Sequence, residues 1–252
     1  MRLLALIFGT LLIAFMVWMA ARMWGESQTF KPFDAPFLKS SGQVLIVPWE
    51  QNFLLEKNPD LVLWVDVYRA EAENLLVKPW ADRNKAIKSL EQKPNPARPL
   101  LKDLLEKFPN TKFVISCDDN TLDIHRQLAQ VIEETKSTGR VMLQSNYNTI
   151  LISAKELNPM LVYGSTVADV TRLKTFESMG LLPSATFKGD VLFTPLRYRD
   201  RDMIDKDIAL EMKRRFKKIY LGPLASKEEV EKAKAFGPDG LFVEDPFLVL
   251  GK

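Results

Sequence analysis

Residues Leu3–Ala21 form an uncharged, mostly apolar run bounded by Arg2 and Arg22. A helix rising ~1.5 Å per residue would carry such a run across most of a hydrocarbon core. The run is longer than the roughly 7–15 residues of a signal-peptide core. Its exit, Trp18-Met19-Ala20-Ala21-Arg22, fits a small-x-small cleavage site poorly. The expected reading is therefore an uncleaved anchor in residues 1–24, touching the membrane through residues 3–21. Arg2 precedes the run, whereas Arg22 is soon followed by Glu26, so the positive-inside bias places the N-terminus in the cytoplasm. The folded domain is then extracytoplasmic, periplasmic or extracellular, on a single-pass membrane protein.

Residues 25–41 carry Phe30, Pro32, Phe33, Pro36 and Phe37 with neither a helical nor a strand period. They read as a linker lying over the domain or the membrane surface. From residue 42 to residue 252 short β-rich runs alternate with longer amphipathic ones. Candidate strands are Gln43–Val47, Leu61–Val67, Lys112–Cys117, Arg140–Gln144, Met160–Tyr163, Asp190–Thr194, Lys217–Leu221 and Gly240–Val243. Runs such as Val44-Leu45-Ile46-Val47 are continuously apolar, as expected for parallel strands covered on both faces. Helical patterns fill the intervals: Pro99–Phe108, Thr121–Thr135 and Ser226–Phe236, the last opening on the capping-box pattern Ser226-Lys227-Glu228-Glu229. This α/β alternation predicts a (β/α)8 barrel of TIM type, with a doubly wound open sheet as the alternative that shares the same local pattern.

Composition narrows the partners. With 35 basic and 32 acidic residues spread evenly, no charged block marks a nucleic-acid groove, so nucleic acid is not an expected partner. A single cysteine, Cys117, excludes an intramolecular disulfide and a cysteine-based zinc site, and is read as a buried apolar residue. No glycine-rich phosphate fingerprint follows any strand.

In a barrel of this kind chemistry sits on the loops after the strands' carboxyl ends. Those loops offer Trp49 and Glu50, then Asp66, then Asp118 and Asp119, later Arg197, Tyr198 and Arg199, and finally Glu244 and Asp245. The Arg197-Tyr198-Arg199 run suits an anionic headgroup, because guanidinium forks match phosphate oxygens; the interleaved Asp200 and Asp202 suit a self-paired surface instead.

The order of these segments resembles the glycerophosphodiester phosphodiesterase family, among the phospholipase-C-like phosphodiesterase barrels. The likeness covers residues 42–250. It is carried at the C-terminus by Lys218-Ile219-Tyr220-Leu221, Ser226-Lys227-Glu228-Glu229 and Gly237-Pro238-Asp239-Gly240-Leu241-Phe242-Val243-Glu244-Asp245-Pro246, and earlier by Pro59-Asp60-Leu61-Val62-Leu63-Trp64-Val65-Asp66-Val67. The resemblance implies a phosphoric diester hydrolase fold acting through two histidines and a carboxylate-held divalent cation, Mg or Ca. This sequence departs from that pattern at the chemistry. Val47-Pro48-Trp49 stands where the first histidine is expected, Val77-Lys78-Pro79-Trp80 where the second is, and Trp64-Val65-Asp66 leaves Asp66 as the one matching metal carboxylate. The sole histidine, His125, falls inside a predicted helix and away from the barrel's active face.

The candidate ligand-binding residues are thus Trp49, Asp66, Trp80, Arg197 and Arg199, with Asp66 the single candidate metal ligand. Trp49, Trp64 and Trp80 are expected to occupy the mouth. Two functional classes follow. One is a non-catalytic, membrane-anchored barrel that takes a lipid-like phosphodiester, an envelope component or a protein partner and needs no cofactor. The other is an active phosphodiesterase with relocated catalytic residues, holding a divalent cation through some of Glu50, Asp66, Glu71, Glu73, Asp118 and Glu244. The absent histidines favour the first class.

Overall fold

The structure is a computed structural model that describes residues 2–40, 42–70, 74–90, 93–121 and 123–251. It opens with one long helix, α1 (Arg2–Ser27), in which Leu6–Ser27 is long and apolar enough to cross a membrane. The barrel strands follow in chain order: β1 (Val44–Pro48), β2 (Val62–Arg69), the hairpin partner β3 (Leu75–Lys78), β4 (Lys112–Cys117), β5 (Val141–Gln144), β6 (Val162–Tyr163) and β7 (Val191–Thr194). Then come the small hairpin β8 (Arg197–Tyr198) with β9 (Arg201–Asp202), and finally β10 (Lys218–Leu224) and β11 (Gly240–Val243). Helices α2 (Leu101–Lys107), α3 (Ile124–Glu134), α4 (Asn148–Leu157), α5 (Val167–Ser178), α6 (Lys206–Arg214), α7 (Lys227–Lys234) and α8 (Phe247–Leu250) lie between or after them.

Each of the eight predicted strands is present. They pair in parallel in the order β6-β5-β4-β2-β1-β11-β10-β7, which follows the chain around a nearly closed ring. This is the TIM-type barrel rather than the open doubly wound sheet. Side chains and one backbone bond close the seam between β6 and β7. The Asp190 amide donates to the Tyr163 carbonyl at 2.8 Å and the Tyr163 amide to the Asp190 carboxylate at 3.1 Å, while the Ser165 hydroxyl donates to the Phe193 carbonyl at 2.7 Å and accepts from the Phe193 amide at 2.9 Å. The helices sit where local chemistry starts them: Ser226 accepts from the Glu229 amide at 3.2 Å and Thr166 forms a full capping box with Asp169.

Strand alternation divides the core in two. Val44, Ile46, Val62, Trp64, Val114, Met142, Val162, Val191, Phe193, Tyr220 and Phe242 fill the barrel interior, and the intervening residues pack outward against the helices. Residues 25–41 do more than lie over the domain. Ala35 and Phe37 are buried in the interior cluster and close its floor, with the Lys112 ammonium donating to the carbonyls of Phe37 at 2.9 Å and Lys39 at 2.6 Å.

Two elements differ from the sequence expectation. β2 runs on to Arg69 because β3 pairs with it antiparallel, putting Lys78 opposite Asp66. The Arg197–Asp202 stretch, expected as a loop, is the β8–β9 hairpin.

Candidate functional site

At the carboxyl ends of the strands a cleft of about 550 Å³ opens into the barrel. Its base is aromatic. Trp64 stacks on Phe242 with ring centroids 4.5 Å apart, Phe193 leans on Trp64 at 5.1 Å, and Trp80 meets Phe242 edge-on at 5.2 Å. Of the three tryptophans expected at the mouth, Trp64 and Trp80 are there and still leave the cleft open. Trp49 does not line it; its ring packs against the outer core beneath the helices.

One residue beyond that aromatic base, Asp66 points inward from β2. Trp64 Nε1 donates to its Oδ1 at 2.9 Å, and Ser116 is its register partner on β4. Burial pushes the Asp66 carboxyl up to about 6; hydrogen bonds from Ser116 and Trp64 and the Lys78 charge pull the other way, and Asp118 adds to the rise. A carboxyl raised in the folded state stabilises the protein below its unfolded value near ~4, and that contribution is lost as pH climbs through ~6. Asp66→Asn keeps the acceptor for Trp64 and removes the titration. Relative to wild type it is expected to gain on the order of 3 kcal/mol between acid and neutral pH. Denaturant titrations at both ends of that window check this, and a pH-independent difference would show that Asp66 does not titrate in that window.

The segment after β3 supplies positive charge. Lys78 Nζ donates to the carbonyls of Arg83 and Lys85, each at 2.9 Å, which holds the ammonium in the cleft wall; burial pulls its pKa down while Asp66 and Asp118 push it up. Arg83 lies over the Trp80 ring at 4.4 Å and pairs with Glu244 at 3.1 Å. Lys78, Arg83 and Lys85 all line the cleft, facing a set that includes Asp66, Ser116 and Asp118.

The described candidate carboxylates have protein partners. Glu50 accepts the Trp80 amide at 2.6 Å, Asp118 accepts the Asn146 amide at 2.9 Å and side chain at 2.7 Å, and Glu244 is held by Arg83. Among the described residues no three His, Cys, Asp or Glu side chains gather as a metal cluster. Ca takes about six to eight oxygen ligands, whereas Mg is held by about one or two carboxylates with waters and substrate phosphates completing its shell. Glu71 and Glu73 lie outside the described residues.

The remaining candidates take other places. Arg197 and Arg199 are exposed on the β8–β9 hairpin, where Arg197 pairs with Asp202 at 3.5 Å and Arg199 covers the Tyr198 ring; only Tyr198 of the three lines the cleft. His125 sits in the first turn of α3, thus at the barrel's mouth end rather than remote from it, yet it does not line the cleft. Lys78, which the sequence places at the second histidine position without naming it a binding residue, lines the cleft. Its signal is the antiparallel register with Asp66, visible once β3 is recognised.

No family model matches the sequence, and no curated relative matches it. Solved structures do. A Silicibacter pomeroyi protein assigned as a glycerophosphoryl diester phosphodiesterase superposes with a TM-score of 0.62 at 10% identity, covering 85% of this chain and 96% of that one. A glycerophosphodiester phosphodiesterase from Parabacteroides distasonis gives a TM-score of 0.57 at 12% identity over 81% and 94% of the two chains. An Oleispira antarctica phosphodiesterase, solved with the product sn-glycerol-3-phosphate, gives 0.56 at 11% identity over 80% and 92%. This chain therefore has the barrel fold of the glycerophosphodiester phosphodiesterases, in agreement with the resemblance its segment order carries.

Proposed function

We propose that this chain is a membrane-anchored, phosphodiesterase-fold barrel that binds a phosphate-bearing anion at its mouth and does not hydrolyse it by the metal-and-histidine route. One observation carries the reading: a lysine ammonium lines the cleft beside a buried carboxyl. Lys78 stands in register with Asp66, in the segment where the family resemblance leads one to expect a histidine, and Arg83 and Lys85 add to it. An ammonium is a point charge for phosphate oxygens. It is not the Lewis acid that metal-assisted cleavage of a phosphodiester uses. The anchor reading is supported by the apolar helix α1, and an exported barrel by the charge bias around that helix.

The probe is glycerol 3-phosphate, the product found with the Oleispira antarctica protein, alongside inorganic phosphate. Titration calorimetry is expected to show saturable binding that weakens about tenfold in Lys78→Gln, the scale of one charge-assisted hydrogen bond. The glutamine amide can still donate to the Arg83 and Lys85 carbonyls, so the loop keeps its support. Affinity unchanged by the substitution, or no binding at all, would remove the anion site.

A second reading is favoured by Asp66 alone. A buried carboxyl near pH 6 is poised as a general acid, so a hydrolase built on different groups would begin there.

A further inference from the structure

The anchor helix is fastened to one particular end of the barrel. Trp18 Nε1 donates to the Met179 carbonyl at 2.9 Å, and the Ser184 hydroxyl donates to the Ala21 carbonyl at 2.5 Å. Gly25 passes so close to the Pro183–Ser184 backbone that a Cβ there would sit 2.5 Å from it. Arg214 caps the helix end, donating to the carbonyls of Gly25 at 3.3 Å and Gln28 at 3.2 Å. Every one of these partners belongs to the connections that precede β7 and β10, at the amino-terminal ends of the strands. The cleft lies at the opposite ends. Leu6–Val17 stays exposed along its length, so the helix projects away from the barrel rather than running up its side.

Depth follows from the same contacts. Trp18 lies within the apolar run, about 6 Å inside Arg22 at ~1.5 Å per residue. The loop that receives its indole N–H must therefore reach the membrane interface. Apolar side chains are exposed at that end: Leu157 and Met160 before β6, Met179 before β7 and Phe216 before β10 are each about half exposed, and Trp24 on the helix is exposed as well. Patches of this kind on a soluble face mark interaction surfaces.

We infer that the amino-terminal face of the barrel is seated on the bilayer that holds α1, with Leu157, Met160, Met179 and Phe216 in its interface, so that the cleft opens away from that bilayer. The occupant of this apolar face is the anchoring membrane, since the face is continuous with the emerging helix. This rests on the membrane reading of α1 and narrows the proposed ligand. The phosphate-bearing anion arrives from the aqueous phase, because a lipid of the same bilayer lies on the wrong side of the barrel.

The test uses the full chain in phosphatidylcholine vesicles containing phosphatidylglycerol, with part of the lipid spin-labelled at the headgroup. Cys117 is buried and is replaced by alanine, and a fluorophore is placed by Met160→Cys, Phe216→Cys or Asn84→Cys, the last on the cleft rim. Quenching is expected to be several-fold stronger at 160 and 216 than at 84. Equal quenching at all three sites, or stronger quenching at 84, would overturn the seating. Absence of quenching at every site in a chain that floats with the vesicles would also overturn it while leaving the anchor intact. A chain that fails to float would remove the anchor and the seating together.

Discussion

Replacing Phe37 by alanine is expected to destabilise the barrel by about 3–5 kcal/mol, the range for truncating a buried phenylalanine. Phe37 is 2% exposed and belongs to the interior cluster with Ala35, Val44 and Ile46. Phe37 is the largest side chain of the 25–41 segment buried there, so its truncation leaves a cavity that the β-strands cannot collapse to close. Chemical denaturation of the detergent-solubilised chain measures the change. A loss within about 0.5 kcal/mol, typical of surface positions, would show that the 25–41 segment does not belong to the core. Two deletions make the same point. Removing residues 1–24 keeps Phe37 and is expected to give a soluble folded domain, whereas removing residues 1–41 is expected to leave an open, unstable barrel.

The second large effect is expected at Arg215. It is 3% exposed; Nε donates to Glu211 at 2.6 Å, Nη1 to the Ala185 carbonyl at 2.5 Å, and Nη2 to the Leu182 and Pro183 carbonyls at 3.1 Å each. One guanidinium thus ties α6 to the turn that receives the anchor helix. Burial pushes the Glu211 carboxyl up, but the hydrogen bonds from Arg214 and Arg215 outweigh it and hold it below the usual range. Arg215→Ala strands three buried carbonyls and leaves Glu211 to Arg214 alone, with an expected loss of about 3–5 kcal/mol at roughly 1–3 kcal/mol per unsatisfied buried group. The triple variant Glu211→Leu with Arg214→Met and Arg215→Met should recover part of that loss, because no charge of the network is left without its partner. If the single variant unfolds at the wild-type denaturant midpoint, the network contributes nothing to stability.

The barrel was legible because its strands are buried on both faces, which turns each into a continuous apolar run such as Val141-Met142-Leu143 with turn residues beyond. The β3 strand was not, since Leu75–Lys78 is short and its partner is set by a hairpin rather than by period. Phe37 gave no signal either: three phenylalanines in an aperiodic segment do not say which of them enters the barrel. At the mouth, Asp66 and Trp80 could be placed from segment order, and both line the cleft. Trp49 could not. It follows β1 directly, but the short helical turn Trp49–Glu56 carries its ring outward. The β8–β9 hairpin similarly lifts Arg197 and Arg199 off the cleft lining, a consequence of pairing that residue types alone do not announce.

The proposed lysine-centred mouth binds phosphate-bearing anions without cleaving them. The most direct measurement is a coupled assay for glycerol phosphate released from glycerophosphodiesters, run with magnesium, calcium or manganese on wild type and Asp66→Ala. The account predicts no release above background from either protein, while glycerol 3-phosphate still binds the wild type. Metal-dependent release by the wild type that disappears in Asp66→Ala would contradict it and make this barrel a hydrolase.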